Sequence, residues 1–262
     1  MRITRVYSPI SIPLHTPILL EERIAHHLIN VLRLRSGHML TVFNGDGFDY
    51  IGTISKIEKR QVWFTAEASQ SIEHRESVLK THLGQAISKG EKMDFVIQKS
   101  VELGVTEITP LITEYCNIKL DEERRSKRHE HWQRVAISAA EQSGRPFVPK
   151  IHPPCLLSDF LTQAQSEDQN IPALKLIFHC RHAKPFSEIL NLNKNINNNI
   201  KNTYLIIGPE GGFTDKEIAN AGISGFQPIT LGPRILRTET APITALSLLQ
   251  FYFGDLNSDR IF

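Results

Sequence analysis

Two short loops carry residue types that could grip a ligand. The first runs from Ile206 to Thr214, IIGPEGGFT, and the second from Leu231 to Thr244, LGPRILRTETAPIT. Each follows an apolar run that reads as a strand, TYLII in one case and PIT in the other, and each leads into a helix-like segment. Ligands of open α/β sheets bind in crevices outside the carboxyl ends of strands, so two Gly/Pro-rich loops at such ends mark a candidate site. GPEGGF could hold an anion on backbone N–H groups at the start of its helix, which opens on the capping-box pattern Thr214-Asp215-Lys216-Glu217. It lacks the Gly-Lys-Ser/Thr of a Walker loop and is not GxGxxG, which argues against nucleotide hydrolysis. Its glycines allow either close approach of a ligand or a tight turn. The second loop adds Arg234, Arg237 and Glu239 where packing constrains charge least.

Other chemistries fail on spacing. His26/His27 and His129/His131 lie on helical segments at separations that point to different faces, unlike an HExxH pair. His182 reads as a polar loop residue. Cys116, Cys155 and Cys180 are far apart with no CxxC, so they read as buried thiols of a reducing compartment. There is no GxSxG elbow, and the sequence predicts no metal site.

The elements that position these loops follow from hydrophobic period. In a chain of 262 residues, residues 1–72 alternate as short strands, ITRVY, MLTVF, DYIGTISKI and QVWFTAEA, with turn signals at Asn44–Gly47 and Glu58–Arg60. One helix, EERIAHHLINVLR, interrupts them, with Ile24, Leu28, Val31 and Leu32 on one face. Short strands around one helix predict a small β-barrel. Arg2, Arg5, Arg23, Arg33, Arg35, Lys56, Lys59 and Arg60 make this piece basic enough to contact phosphates or to form a solvated face.

A polar stretch, Ser71–Ser77, marks the boundary, and residues 77–262 form the second domain. The strand VLKTHLGQAI, a helix over Glu91–Leu103 ended by Gly104, and the strand that follows make a βαβ unit, the signature of a parallel sheet. A long helix spans Asp121–Ser143, with Trp132, Val135, Ala136, Ala139 and Ala140 on its apolar face. Short helices are expected at Leu156–Ala164 and Phe186–Leu190, and strands at Leu174–His179 and Phe226–Leu231. The segment Asn191–Asn202 is biased to Asn and Lys and reads as a surface loop. A last helix starts near Thr240. The net charge of +2 requires any nucleic-acid face to concentrate its cations locally. No run approaches a membrane span and no secretory h-region opens the chain, so a cytoplasmic protein is expected.

Four motifs in order, LGQAISKGEKMDFVIQKSVELGVTEITPL, AAEQSGR at Ala139–Arg145, IGPEGGF at Ile207–Phe213 and LGPRILRTETA at Leu231–Ala241, together resemble the ribosomal RNA small subunit methyltransferase E family of the SPOUT superfamily. The resemblance covers essentially the whole chain. It implies a PUA-like RNA-binding barrel followed by an α/β domain whose end threads a trefoil knot, a homodimer, and methyl transfer from S-adenosylmethionine to N3 of a uridine in 16S rRNA, acting on the 30S subunit. Carried onto this sequence, it implies a cofactor pocket of Gly208, Pro209, Glu210, Gly211, Leu231, Gly232, Ile235, Leu236, Arg237, Thr240 and Ala241. Arg237 is then the first candidate for orienting the base or stabilising charge on its carbonyl oxygens, with Glu210 and Glu239 as candidate proton acceptors or sulfonium partners. Glu102, Gln142 and Arg145 lie in matching motifs and read equally as structural. A knotted methyltransferase acting on ribose 2′-OH or another base position and an RNA-binding module without turnover remain as alternatives.

Overall fold

The computed structural model describes residues 4–88, 90–116, 121–168, 173–179, 183–188 and 200–257. Arg2, Cys180, His182, the end of the segment expected as a helix at Phe186–Leu190 and most of the Asn-rich segment lie outside the described residues. The chain divides into two compact units, Met1–Glu76 with Ala140–Val148, and Ser77–Ala139 with Pro149–Phe262.

In the first unit five strands, β1 (Thr4–Tyr7), β2 (Pro17–Leu19), β3 (Met39–Phe43), β4 (Phe48–Glu58) and β5 (Gln61–Ser71), form a sheet of order β1-β3-β4-β5-β2. β1 and β2 end this path without bonding each other, so the sheet is open where a closed barrel was expected. It is curled instead: register shifts interrupt the β4–β5 ladder at Ile51/Gly52 and Ile54/Lys56. A Cβ on Gly52 would lie 1.9 Å from the Thr65 carbonyl oxygen, so the first shift requires glycine. The concave side wraps α1 (Glu22–His26), and Ile24, Ala25 and Leu28 pack with Leu40, Val42, Ile54, Val62 and Phe64. Each large side chain so buried is worth about 1.5–3 kcal/mol.

The helical face differs from its sequence pattern. After α1 the chain continues as a π turn over His27–Val31, closed by Leu32 N donating to His27 O at 3.0 Å. An i→i+5 turn holds more residues than 3.6, so later side chains rotate out of phase. Val31 and Leu32, expected beside Ile24 and Leu28, face solvent.

Arg5 is also corrected. Its guanidinium is not an exposed phosphate contact: Nε binds Asp49 Oδ1 at 2.8 Å, the terminal nitrogens donate to the carbonyls of Ala140 (3.0 Å) and Arg145 (2.9 Å), and it lies 3.6 Å over the Phe43 ring. Burial lowers its pKa and the Asp49 carboxylate opposes that shift. These bonds, with Tyr7 N donating to Glu141 Oε1 at 2.9 Å, attach Ala140–Val148 to the first unit, where the sequence placed it in the second. Arg145 is buried against Glu76 in the same unit, a structural role.

The second unit is built on a parallel sheet. Its strands are β6 (Lys80–Ala86), β7 (Glu107–Ile112), β8 (Lys150–Ile151), β9 (Cys155–Leu156), β10 (Leu174–Phe178), β11 (Lys184–Pro185), β12 (Asn202–Ile207) and β13 (Gln227–Thr230). Their order is β11-β13-β10-β12-β6-β7-β8, with β9 paired to β7. The helices are α2 (Lys92–Glu102), α3 (Glu122–Ser143), α4 (Leu157–Asp168), α5 (Asp215–Ile223) and α6 (Thr240–Phe253). Near-continuous burial of β6 and β12 suits strands covered on both faces. α2 ends where the sequence placed its stop: Gly104 takes φ +78°, and a Cβ there would meet Gln250 Nε2 at 2.7 Å. Gln250 itself is fully buried and accepts from Ser77 Oγ at 2.6 Å, which ties α6 to the start of the unit.

Candidate active site

Because the strands are parallel, the loops after β6, β7, β12 and β13 leave the sheet at one edge. The loop after β12, Gly208–Thr214, is held tightly. Pro209 and Phe213 are buried, Gly212 N donates to Pro209 O at 2.9 Å, and Gly212 takes φ +73°. The expected capping box is present: Glu217 N donates to Thr214 Oγ1 (3.2 Å) and Thr214 N to Glu217 Oε2 (2.9 Å). The other Glu217 oxygen accepts from Glu114 N at 2.9 Å, which ties this helix start to the loop after β7. Gly208 and Gly211 are needed for close packing, since added Cβ atoms would lie 2.9 Å from the Phe213 ring and 3.0 Å from Tyr115 Cβ.

The loop after β13 is held at fewer points. Gly232 takes φ +93° with open space where a Cβ would stand. Leu231 and Leu236 are half-buried, whereas Ile235 is 85% exposed. Thr238 is the anchor: its Oγ1 donates to Gly208 O at 2.8 Å and accepts from Gln85 Nε2 at 3.1 Å. Since β10 and β12 lie between β13 and β6, the chain leaving β13 passes their ends to bring Thr238 to Gln85. Thr240 and Ala241, expected in the loop, are the first residues of α6, and their N–H groups donate to Arg237 O at 2.9 and 3.0 Å. Pro242 is accommodated in that first turn, where N–H groups have no intrahelical partner.

The charged residues of three loops meet here. Lys92, the first residue of α2, binds Glu210 Oε1 at 2.7 Å and lies 3.5 Å from Glu239 Oε2. Its pKa is raised, chiefly by the hydrogen bond to Glu210. Arg237 is 82% exposed at its side chain and 3.9 Å from Glu239 Oε1, whereas Glu239 is 18% exposed and sits at the start of α6, where the helix dipole favours a carboxylate. Buried oxygens around this edge, Gln85 Oε1, Ser88 Oγ, Thr113 Oγ1 and Glu239 Oε2, make no hydrogen bond among the described residues. All eleven positions expected to line the pocket therefore fall on these two loops and the first turn of α6. Sequence reasoning missed Lys92, Gln85, Tyr115 and Thr238, whose roles appear only once the sheet order brings the loops together.

Among the described residues, the exposed lysines and arginines of the first unit are Arg23, Arg33, Arg35, Lys56, Lys59 and Arg60. Lys56 pairs with Glu58 and lies 5.2 Å from the Trp63 ring centroid. Lys59 and Arg60 form the two-residue β4–β5 turn with φ +47° and +69°, a conformation Asn-Gly adopts with less strain. Arg33 also has positive φ, +55°, directly after the exposed Val31 and Leu32.

An open-sheet domain with paired loops at its carboxyl edge, preceded by a curled β unit with exposed cations, is the architecture of an RNA-modifying enzyme. Residues 75–250 match the family model described as RNA methyltransferase domain, and residues 20–67 that described as RNA methyltransferase PUA domain. The chain is 38% identical over 256 residues to ribosomal RNA small subunit methyltransferase E of Buchnera aphidicola subsp. Schizaphis graminum, covering 98% of this chain and 99% of that one. It is 31% identical to the Bacillus subtilis protein of the same name, covering 90% of each. Among solved structures, a methyltransferase from Legionella pneumophila in complex with the cofactor SAM superposes with a TM-score of 0.87 at 42% identity, covering 98% of this chain and 100% of that one. The ribosomal RNA small subunit methyltransferase E of Neisseria gonorrhoeae bound to S-adenosyl methionine gives 0.83 at 36%, covering 97% and 100%. The chain belongs to the ribosomal RNA small subunit methyltransferase E family.

Proposed function

We propose that this protein transfers a methyl group from S-adenosylmethionine to N3 of a uridine in 16S rRNA, with the assembled 30S subunit as substrate and the cytoplasm as its compartment. The observation that carries the reading is the joining of GPEGGF to LGPRILRTETA through Thr238 and Gly208, beside a carboxylate pair. The residues fit the cofactor. It carries no phosphate and a positive sulfonium, and these loops offer no Walker lysine but two carboxylates, apolar Leu231, Ile235 and Leu236, and an open backbone at Gly232. When bound, the cofactor supplies an electrophilic methyl group.

This chain's residues supply the rest. Gly208, Pro209, Gly211, Gly232, Thr240 and Ala241 line the cofactor. Uridine N3 carries a proton at neutral pH, so its methylation requires proton removal, unlike attack by an available lone pair. Arg237 is permanently cationic, which disqualifies it as the base and suits it to stabilising negative charge on the uridine carbonyl oxygens. Glu239, half-withdrawn from solvent and flanked by Arg237 and Lys92, is the first candidate to accept the proton, and Glu210 the second. The passage of the chain from β13 past two strand ends supports a trefoil knot around the cofactor loops. Exposed Phe95 on α2 and Phe251 and Tyr252 on α6, two helices that pack together, support a homodimer through this face. Arg23, Arg33, Arg35, Lys59 and Arg60 are the RNA contacts proposed for the first unit.

The test is primer extension across rRNA after incubation of 30S particles, and separately of free 16S rRNA, with enzyme and S-adenosylmethionine. N3 methylation blocks the Watson–Crick edge and produces a strong stop at one uridine. A 2′-O-methyl leaves that edge intact, so methyl incorporation without a base-edge stop refutes N3 chemistry, and no incorporation into either RNA refutes the enzyme reading.

A further inference from the structure

The edge of the parallel sheet opposite the candidate active site carries a second cluster. β6 and β7 pair with His82 in register with Glu107, β7 and β8 pair with Glu107 in register with Lys150, and His152 follows β8 with its N–H on Ile108 O at 2.8 Å. Side chains two residues apart on a strand share a face, so His82, Glu107 and His152 form one row across three neighbouring strands. One nitrogen or oxygen from each lies within 4.8 Å of the others. His152 Nε2 is 2.5 Å from Glu107 Oε2, and the His82 and His152 rings stack at 5.2 Å between centroids.

We propose that His82, Glu107 and His152 bind one Zn²⁺ ion, with a water in the remaining position. Two imidazoles and one carboxylate are a donor set for zinc, whereas magnesium and calcium require oxygen ligands throughout. Zinc bonds of about 2.0–2.2 Å place tetrahedral ligands roughly 3.3 Å apart, so closing the site from separations within 4.8 Å takes rotation of the Glu107 carboxylate, the most exposed of the three, and a shift of the imidazole rings toward each other. The surroundings match those of a metal centre. His82 is oriented by a 2.7 Å hydrogen bond between its Nε2 and Thr109 Oγ1, from the next strand, the type of partner that fixes a metal-bound imidazole. Phe160 and Tyr204 pack their rings against buried His82, while Glu107 keeps the greatest exposure of the three. Zinc takes neutral imidazoles and an ionised carboxylate as ligands, so its binding is expected to weaken as pH falls. The ion would join the amino ends of β6 and β7 to the residue that follows β8, away from the loops after β12 and β13, and the inference stands independently of the methyl-transfer reaction.

Full-length protein stripped with chelator and dialysed against ZnCl₂ is expected to retain one zinc per chain, and Co²⁺ in its place to show the visible absorption of a four-coordinate site. Thr109→Val should weaken binding about 10- to 100-fold, the usual effect of losing the partner that orients a ligand. Glu107→Gln and His152→Asn, both near the surface, should weaken it further. Two results overturn the site: no stoichiometric zinc on the wild-type chain, or undiminished zinc affinity in Glu107→Gln and His152→Asn, which would assign the metal to other histidines. The wild-type measurement decides even if a variant fails to fold.

Discussion

The loop after β12 buries Pro209 and Phe213, closes a turn at Gly212 and ends in a cap whose glutamate also holds Glu114, whereas the loop after β13 exposes Ile235 and Arg237 and rests on Thr238. Both carry a Gly-Pro signature at a strand end. The difference is in how many contacts hold each: the first loop combines internal bonds with ties to Glu114 and Lys92, and the second rests chiefly on Thr238, bonded to Gly208 and Gln85. If the proposed cofactor binds between them, the wall held at fewer points is expected to bear more of the ordering cost of binding.

Removing chemistry from the open loop should have the largest effect. Arg237→Ala is expected to lower methyl transfer by about 100- to 1,000-fold, the range for loss of one charge-stabilising donor, while thermal stability changes by less than about 0.5 kcal/mol because the side chain packs on almost nothing. Single-turnover rates and melting curves check this, and wild-type turnover would remove Arg237 from the mechanism.

Cutting the tie between the loops comes next. Thr238→Val leaves the Gly208 carbonyl and Gln85 amide without that partner and should cost about 1–3 kcal/mol of stability, with cofactor affinity down about 10-fold by titration calorimetry. Equal affinity in the variant would mean that the second loop orders without the first.

Glu217→Ala acts on the first loop. Loss of the cap should destabilise the protein by about 1 kcal/mol and change cofactor affinity little. A large affinity loss would show that the first wall is also shaped by its ligand.

The smallest effect is expected at the β4–β5 turn, a third exposed loop whose strain is intrinsic to its residues. Lys59→Asn with Arg60→Gly should stabilise the first unit by about 1 kcal/mol in all, because left-handed backbone costs ordinary residues roughly 1–2 kcal/mol each, of which asparagine recovers a part and glycine gives some back in unfolded-chain entropy. If both cations contact RNA, the same pair of changes lowers the salt dependence of RNA binding by one to two released counterions, roughly a slope change of 1–2.

Much of the scaffold was legible because local signals agreed with the final structure. The βαβ order, the stop of α2 at Gly104 and the cap at Thr214–Glu217 depend on residues within a turn of each other. The missing parts depend on residues far apart. Strand β2 contains Pro17 and follows Pro13, so its sequence reads as loop, and only pairing with β5 reveals it. Arg5 looks like a surface cation until Asp49 and two carbonyls beyond residue 139 surround it. The phase change at the π turn has no mark in the hydrophobic pattern, which reads straight through it. In the site, Gly-Pro loops announce themselves, but Lys92, Gln85 and Thr238 lack a motif and depend on sheet order. The His82, Glu107 and His152 row was invisible for the same reason, since His152 is 45 residues from Glu107.

The last turn of α3 belongs to the first unit, and that has a consequence for how the chain matures on the ribosome. Residues 1–76 emerge first, but the carbonyls of Ala140 and Arg145 that receive the Arg5 guanidinium, and the Glu141 carboxylate that receives Tyr7, are translated much later. Until they arrive, the Arg5 N–H groups and the Tyr7 amide hydrogen-bond to water instead, and the Arg5–Asp49 pair is screened by solvent. The first unit therefore gains its full set of hydrogen bonds only after Arg145 has been translated. Its last segment is encoded beyond the start of the second unit, so the two units are interleaved along the chain and do not emerge from the ribosome strictly one after the other.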